Sequence, residues 1–227
     1  MSFLCIHPFH ICLNFEQLSH HLLIIENKKM LYSFLKDMKN GGCDKDYFEI
    51  WDDKNKKLKN GDYIDFNLSL FYIEINNKKN LNALIRILKN SCFDLLECFS
   101  KNITLKITET FNNLKLESPI EIISDIDVTD DDFFKLVNLS IAENDDSILE
   151  RIYNYIKVSF ELRNIRIFVF YNLYSLLDNN EIENLLKSCT YLNVRIINVE
   201  PSNIQNHCFE TKKILDKDIC LLESNQL

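Results

Sequence analysis

Short apolar runs separated by polar turns occupy both ends of the chain, and helical spacing occupies its middle. From Asn164 to Glu200 the residues NIRIFVFYNLYSLLDNNEIENLLKSCTYLNVRIINVE run as apolar strand, polar turn, helix and second apolar strand, which predicts one βαβ unit with both strands buried. Pro201 follows at once and stops the second strand. A further segment of this kind closes the chain, where Ile214 and Leu215 lead through Asp216, Lys217 and Asp218 into Ile219-Cys220-Leu221-Leu222. Toward the start, Phe3 to Phe15 alternates as a strand or hairpin, and His21-Leu22-Leu23-Ile24-Ile25-Glu26 predicts a buried strand. Met30, Leu31, Phe34, Leu35 and Met38 then share one side of a helix that Gly41-Gly42 ends. Phe48 to Trp51 predicts a short strand, Asn60-Gly61 is a hairpin signal, and Leu68 to Ile75 predicts another strand.

Helical spacing governs Leu81 to Leu116, where Phe93, Leu96, Phe99, Ile103, Ile107, Phe111 and Leu114 form a stripe along one face. After the acidic run SDIDVTDDD a second long helix is expected from about Asp145 to Arg163, with Ile148, Ile152, Tyr155 and Leu162 on one side and Leu149, Tyr153, Ile156 and Phe160 beside it. The expected organisation is an α/β head made of residues 1–88 and 164–227, interrupted by an α-helical block at 89–163.

A chain of 227 residues buries a sizeable core. Its 34 acidic and 26 basic residues give a formal charge of −8, which argues against a uniformly basic nucleic-acid binder and leaves room for local basic patches. The eight cysteines are scattered, most of them inside apolar segments, as suits small core residues in a reducing cytosol better than a disulfide framework. No run of about 18 apolar residues occurs, so a cytoplasmic protein with no membrane partner is expected. The three glycines, Gly41, Gly42 and Gly61, are too few and misplaced for GxGxxG or GxxxxGK[ST], so nucleotide hydrolysis is not expected.

Three constellations carry candidate chemistry. Asp125, Asp127, Asp130, Asp131 and Asp132 supply hard oxygen ligands of the kind calcium or magnesium selects, although they lack the glycine and terminal glutamate of an EF-hand. The same run also fits a helix start, with Thr129 as N-cap and Asp130 to Asp132 in the first turn, where negative charge complements the helix dipole. Cys5-x-His7-x-x-His10-x-Cys12 has the composition of half a soft-metal site without a specific zinc spacing, and ordinary half-buried strand residues are the better expectation. His20-His21 before the buried strand points to packing. Lys54, Lys56, Lys57 and Lys59 form the densest basic cluster, which is either a solvated hairpin tip or part of a surface that neutralises DNA phosphates.

The order of these pieces resembles the spacer-acquisition proteins of type II-A CRISPR systems, the Csn-two family. The resemblance rests on HLLIIEN with its following helix, FEIWDDKNKKLKNGD, the helical insertion, SDIDVTDDDFFKLV, RIFVFYNLYSLLDNNEIENLL, VRIINVEPSNI and KKILDKDICLL. It implies a head resembling a degenerate P-loop ATPase core, with an inserted α-helical leg and no working nucleotide motif. It further implies a non-catalytic homotetrameric ring whose lysine-lined hole encircles double-stranded DNA and favours its ends, held in shape by calcium. Its expected partners are the CRISPR integrase proteins and the type II effector nuclease. Carried onto this chain, the calcium segment falls on Asp125, Asp127, Asp131 and Asp132 with Asp130 beside them, while the Lys54 to Lys59 cluster is assigned to DNA from local charge alone. Two rival readings stand beside this one. The aspartates could form a two-metal nuclease site, or the α/β head could be an adaptor that docks proteins and has no affinity for DNA.

Overall fold

Three apolar runs build the centre of the fold because each is long enough to cross a sheet and is covered on both faces. They are His20–Ile25 (β3), Ile167–Tyr171 (β7) and Arg195–Glu200 (β8), in which every position except Tyr171 is buried. The computed structural model describes residues 3–7, 9–14, 20–42, 45, 47–51, 54, 56–143, 147–205 and 207–223. The chain divides into two compact units, one from Met1–Ile75 with Asn144–Leu227 and the other from Asn76–Glu143.

In the first unit a six-stranded sheet adds Ile64–Asn67 (β6), Glu210–Leu215 (β9) and Leu221–Glu223 (β10) in the order β10-β9-β3-β8-β7-β6. All neighbours are parallel except β10, which returns on β9 as an antiparallel hairpin with Leu221 opposite Leu215. Taken in chain order, the five parallel strands stand as fifth, first, fourth, third and second across the sheet. A second, antiparallel sheet contains Phe3–Ile6 (β1), Ile11–Asn14 (β2), Phe48–Trp51 (β4) and Lys57–Leu58 (β5), ordered β2-β1-β4-β5.

Alternation along the strands assigns the faces. Leu23, Ile25, Ile167, Val169, Ile197, Val199 and Leu215 cluster with Leu4, Ile6, Phe48 and Ile50 of the second sheet and with Phe34 and Met38 of helix α1 (Lys28–Lys39). Each fully buried side chain of this size contributes about 1.5–3 kcal/mol. The other face carries Phe168, against which Tyr155 of helix α5 (Ile148–Arg163) stands edge-on at 6.1 Å. Helix α6 (Asn179–Tyr191) joins β7 to β8 and buries Ile182, Leu185, Leu186 and Cys189.

The second unit holds α2 (Lys78–Ser91), α3 (Phe93–Glu117) and the short α4 (Asp130–Leu136). Its ends are tied together by Asn76, whose Oδ1 accepts from the Ile141 amide at 2.7 Å and whose Nδ2 donates to the Ile141 carbonyl at 2.9 Å.

Several expected elements move. The compact insertion runs from 76 to 143, not from 89 to 163, because α5 is fastened to the sheet of the first unit. Tyr155 Oη and Arg163 Nη1 each donate at 2.8 Å to Asp65 Oδ2 on β6, a strand whose polar Asp65 and Asn67 hide it in the sequence. The strand expected at Leu68 to Ile75 is instead a single 3-10 turn at Leu70–Tyr72. The β4–β5 hairpin turns before Lys57, and Asn60-Gly61 forms a later 3-10 turn. There the buried Asn60 side chain donates to the carbonyls of Gly42 and Phe48. Gly42 has φ +72, and a Cβ there would meet Asn60 Nδ2 at 2.9 Å, so this close approach requires glycine. The helix expected over 81–116 is interrupted at Cys92, and the apolar stripe is covered unevenly: Leu96 is buried whereas Phe93 and Leu114 are exposed.

Candidate functional site

In an open parallel sheet, ligands gather beyond the carboxyl ends of the strands. At that edge β3 passes to α1 through Glu26 and Asn27 alone. Asn27 Oδ1 accepts from the amides of Lys29 at 3.1 Å and Met30 at 3.0 Å, and its Nδ2 donates to the Lys217 carbonyl at 2.7 Å. Amide groups that a phosphate would take at a helix start are therefore already engaged by a side chain. A connection this short has no room for a phosphate-cradling loop.

The acidic segment lies in the second unit, and three of its five carboxylates engage different partners. Asp125 and Asp127 are exposed on a stretch without regular structure before α4. Asp130 accepts from Ser100 Oγ at 3.1 Å, and Asp131 pairs with Lys89 at 2.9 Å. Asp132 accepts from the Thr129 amide at 3.0 Å and the Thr129 hydroxyl at 2.8 Å, and pairs with Lys135 at 2.9 Å. Those bonds, first the one from Lys135, hold the Asp132 carboxyl well below the usual carboxylate range. The helix-capping reading thus describes Thr129 and Asp132. Calcium takes six to eight oxygens, yet among the described residues no three His, Cys, Asp or Glu side chains converge as ligands. As they stand, these aspartates do not fit a calcium ion.

The basic candidates sit on the β4–β5 hairpin. Lys54, Lys56, Lys57 and Lys59 are all exposed, with Trp51 opposite Lys57 in register. Lys57 Nζ donates to Glu49 Oε1 at 2.9 Å, and this bond is the main cause that lowers the Glu49 carboxyl. His7 approaches the other oxygen of Glu49 at 3.5 Å. Cys5 and Cys12 face each other across β1 and β2 with sulfurs 2.9 Å apart, while His10 is exposed in the turn at φ 49. The four residues of the suspected soft-metal cluster are not gathered into one ligand set.

Two buried polar networks escaped the sequence. One is the Asp65, Tyr155 and Arg163 cluster, with side chains of Arg163 and Asp65 only 10% and 7% exposed. The other starts at Glu200, whose Oε1 accepts from the Tyr174 amide at 3.0 Å and from Asn198 Nδ2 at 2.8 Å. Tyr174 then lies over Leu22, Ile24 and Ile214, hydrogen-bonds Glu210 through its hydroxyl and stacks on His207. Burial raises the Glu200 and Glu210 carboxyls and the Tyr174 phenol. A glutamate ending the apolar run RIINVE was the available signal.

His20 and His21 are packed, as expected. His20 Nδ1 accepts from the Ile196 amide at 3.0 Å, which fixes the tautomer so that Nε2–H donates to Thr190 Oγ1 at 2.9 Å. Burial pushes both imidazoles down to about 4.

A family described as CRISPR-associated protein (Cas_Csn2) matches residues 41–219. Comparison with curated proteins returns no match. Among the described residues, no helix is long and apolar enough to cross a membrane.

Proposed function

The chain belongs to the Cas_Csn2 family of CRISPR-associated proteins, and from that membership we propose that it serves the capture of new spacers as a non-catalytic protein that binds double-stranded DNA ends. Four copies close a ring, and its central hole takes the duplex without reading sequence. The family match over residues 41–219 is the observation that carries this reading.

Three features of the chain support it. The first unit is read as a degenerate P-loop ATPase head: a strand runs directly into a helix at the sheet edge where a phosphate loop would stand, and Asn27 closes that helix start instead. The second unit is read as the inserted helical leg. It exposes Leu95, Leu105, Leu114, Leu116, Ile120 and Ile123, an amount of apolar surface that favours contact with further copies. Lys54, Lys56, Lys57 and Lys59 supply positive charge on an otherwise acidic protein, suited to phosphates and indifferent to bases.

Ring closure is assigned to protein contacts, because the aspartates would have to leave Ser100, Lys89 and Lys135 to surround calcium. The CRISPR integrase proteins and the effector nuclease are the proposed partners. Size measurement by light scattering, followed by binding to duplex DNA, tests the proposal. A species of four chains that binds linear duplex is expected, and a monomer without DNA affinity contradicts it.

A further inference from the structure

We propose that Cys5 and Cys12 form a reversible dithiol–disulfide site that reacts with low-molecular-weight disulfides of the glutathione type. The two residues are direct partners in the β1–β2 ladder, and their sulfurs stand 2.9 Å apart. Directly opposed residues of an antiparallel pair have Cα atoms about 4.5–5.5 Å apart, within the roughly 4.4–6.8 Å that a disulfide spans. Backbone rearrangement is therefore unnecessary. The neighbours in β1, Leu4 and Ile6, are fully buried in the core, so alternation turns Cys5 to the opposite face of the sheet, where Cys12 is exposed. These positions lie outside the residues the family match covers.

Exposure gives the two sulfurs different roles. Cys12 is the exposed nucleophile, whereas the half-buried Cys5 has its thiol pushed up to about 12, first by burial and then by Cys12 itself, so Cys5 reacts second, once Cys12 is tied up in the mixed disulfide beside it. Cys12 thiolate attacks one sulfur of the small disulfide and expels the other half as a thiolate, which takes up a proton. Cys5 then loses its proton and attacks Cys12 Sγ, forming the Cys5–Cys12 bond and releasing the second small thiol with that proton. Two protein thiols are oxidised and one small disulfide is reduced to two thiols. In a reducing cell such a bond is transient and reports the redox state. β1 is paired to β4 on its other side, so the bond locks the edge of the same sheet that carries Lys57.

The test equilibrates the full-length reduced protein with graded ratios of oxidised to reduced glutathione, then alkylates and maps the thiols by mass spectrometry. Starting from eight thiols, Cys5 and Cys12 are expected to disappear together with one midpoint, linked to each other. Cys5→Ser should leave glutathione attached to Cys12, and Cys12→Ser should leave Cys5 alkylatable. Full alkylation of both residues in excess oxidised glutathione would overturn the proposal. So would pairing of either one with a different cysteine.

Discussion

Acidification should unfold this protein through its two buried histidines, and His20→Gln isolates one of them. His20 is 2% exposed, accepts from the Ile196 amide and donates to Thr190, and burial, with the Arg195 charge behind it, lowers its imidazole from the ordinary 6.5 to about 4. A folded value below the unfolded one means that the unfolded chain binds the proton first as pH falls. The stability is therefore complete above pH 6.5 and is lost on the way down to about 4. A drop from 6.5 to about 4 corresponds to roughly 3 kcal/mol, with a slope of up to about 1.4 kcal/mol per pH unit. His21 acts in the same direction. Glu200 and Glu210 act oppositely, since burial raises them and their protonated forms stabilise the folded chain, which flattens the acid end. Urea unfolding at steps between pH 7 and pH 4 is the assay. His20→Gln keeps a donor and an acceptor but no longer titrates, so its stability should fall less steeply by about one proton. Parallel curves for the two proteins would refute the reasoning.

Asp65→Ala leaves the Arg163 guanidinium and the Tyr155 hydroxyl without their shared acceptor, and should lower unfolding stability by about 3–5 kcal/mol in urea titrations. Replacing Lys54, Lys56 and Lys59 by Ala should weaken duplex binding uniformly across sequences, and should flatten the plot of log affinity against log salt by up to about 2.7 when read by fluorescence anisotropy. Leu105→Glu with Leu116→Glu, at residues 62% and 84% exposed, should leave single-chain stability within about 0.5 kcal/mol per substitution and reduce the assembly seen by light scattering.

How far the fold could be read from the chain depended on whether each element was stabilised locally. The β7–α6–β8 unit is legible because its strands are continuous apolar runs and Asp178 with Glu181 closes a capping box at the start of α6. β6 is not, because Asp65 is buried only through partners 90 and 98 positions away. That long-range bond also draws α5 into the first unit, although its periodicity resembled that of the helices before it. The acidic run was legible as a helix start and misleading as a cluster, since its carboxylates are divided between an irregular stretch and a first helical turn, where Asp130, Asp131 and Asp132 take different partners. The lysines were legible as an exposed hairpin, but their register with Trp51 and Glu49 depends on where the turn falls. Cys5 and Cys12 were visible as a spacing, and only the β1–β2 register sets them face to face.

The proposed role is tested most directly by comparing linear with covalently closed circular duplex of the same sequence, in a salt series and without added nucleotide. The account predicts binding to the linear form, weakening steeply with salt, and little binding to the closed circle, which offers no end to thread. Equal affinity for both forms would contradict threading, and a defined oligomer that binds neither would point to an adaptor. Cleavage of the linear DNA with magnesium, abolished by Asp127→Ala, would replace the non-catalytic reading with a nuclease.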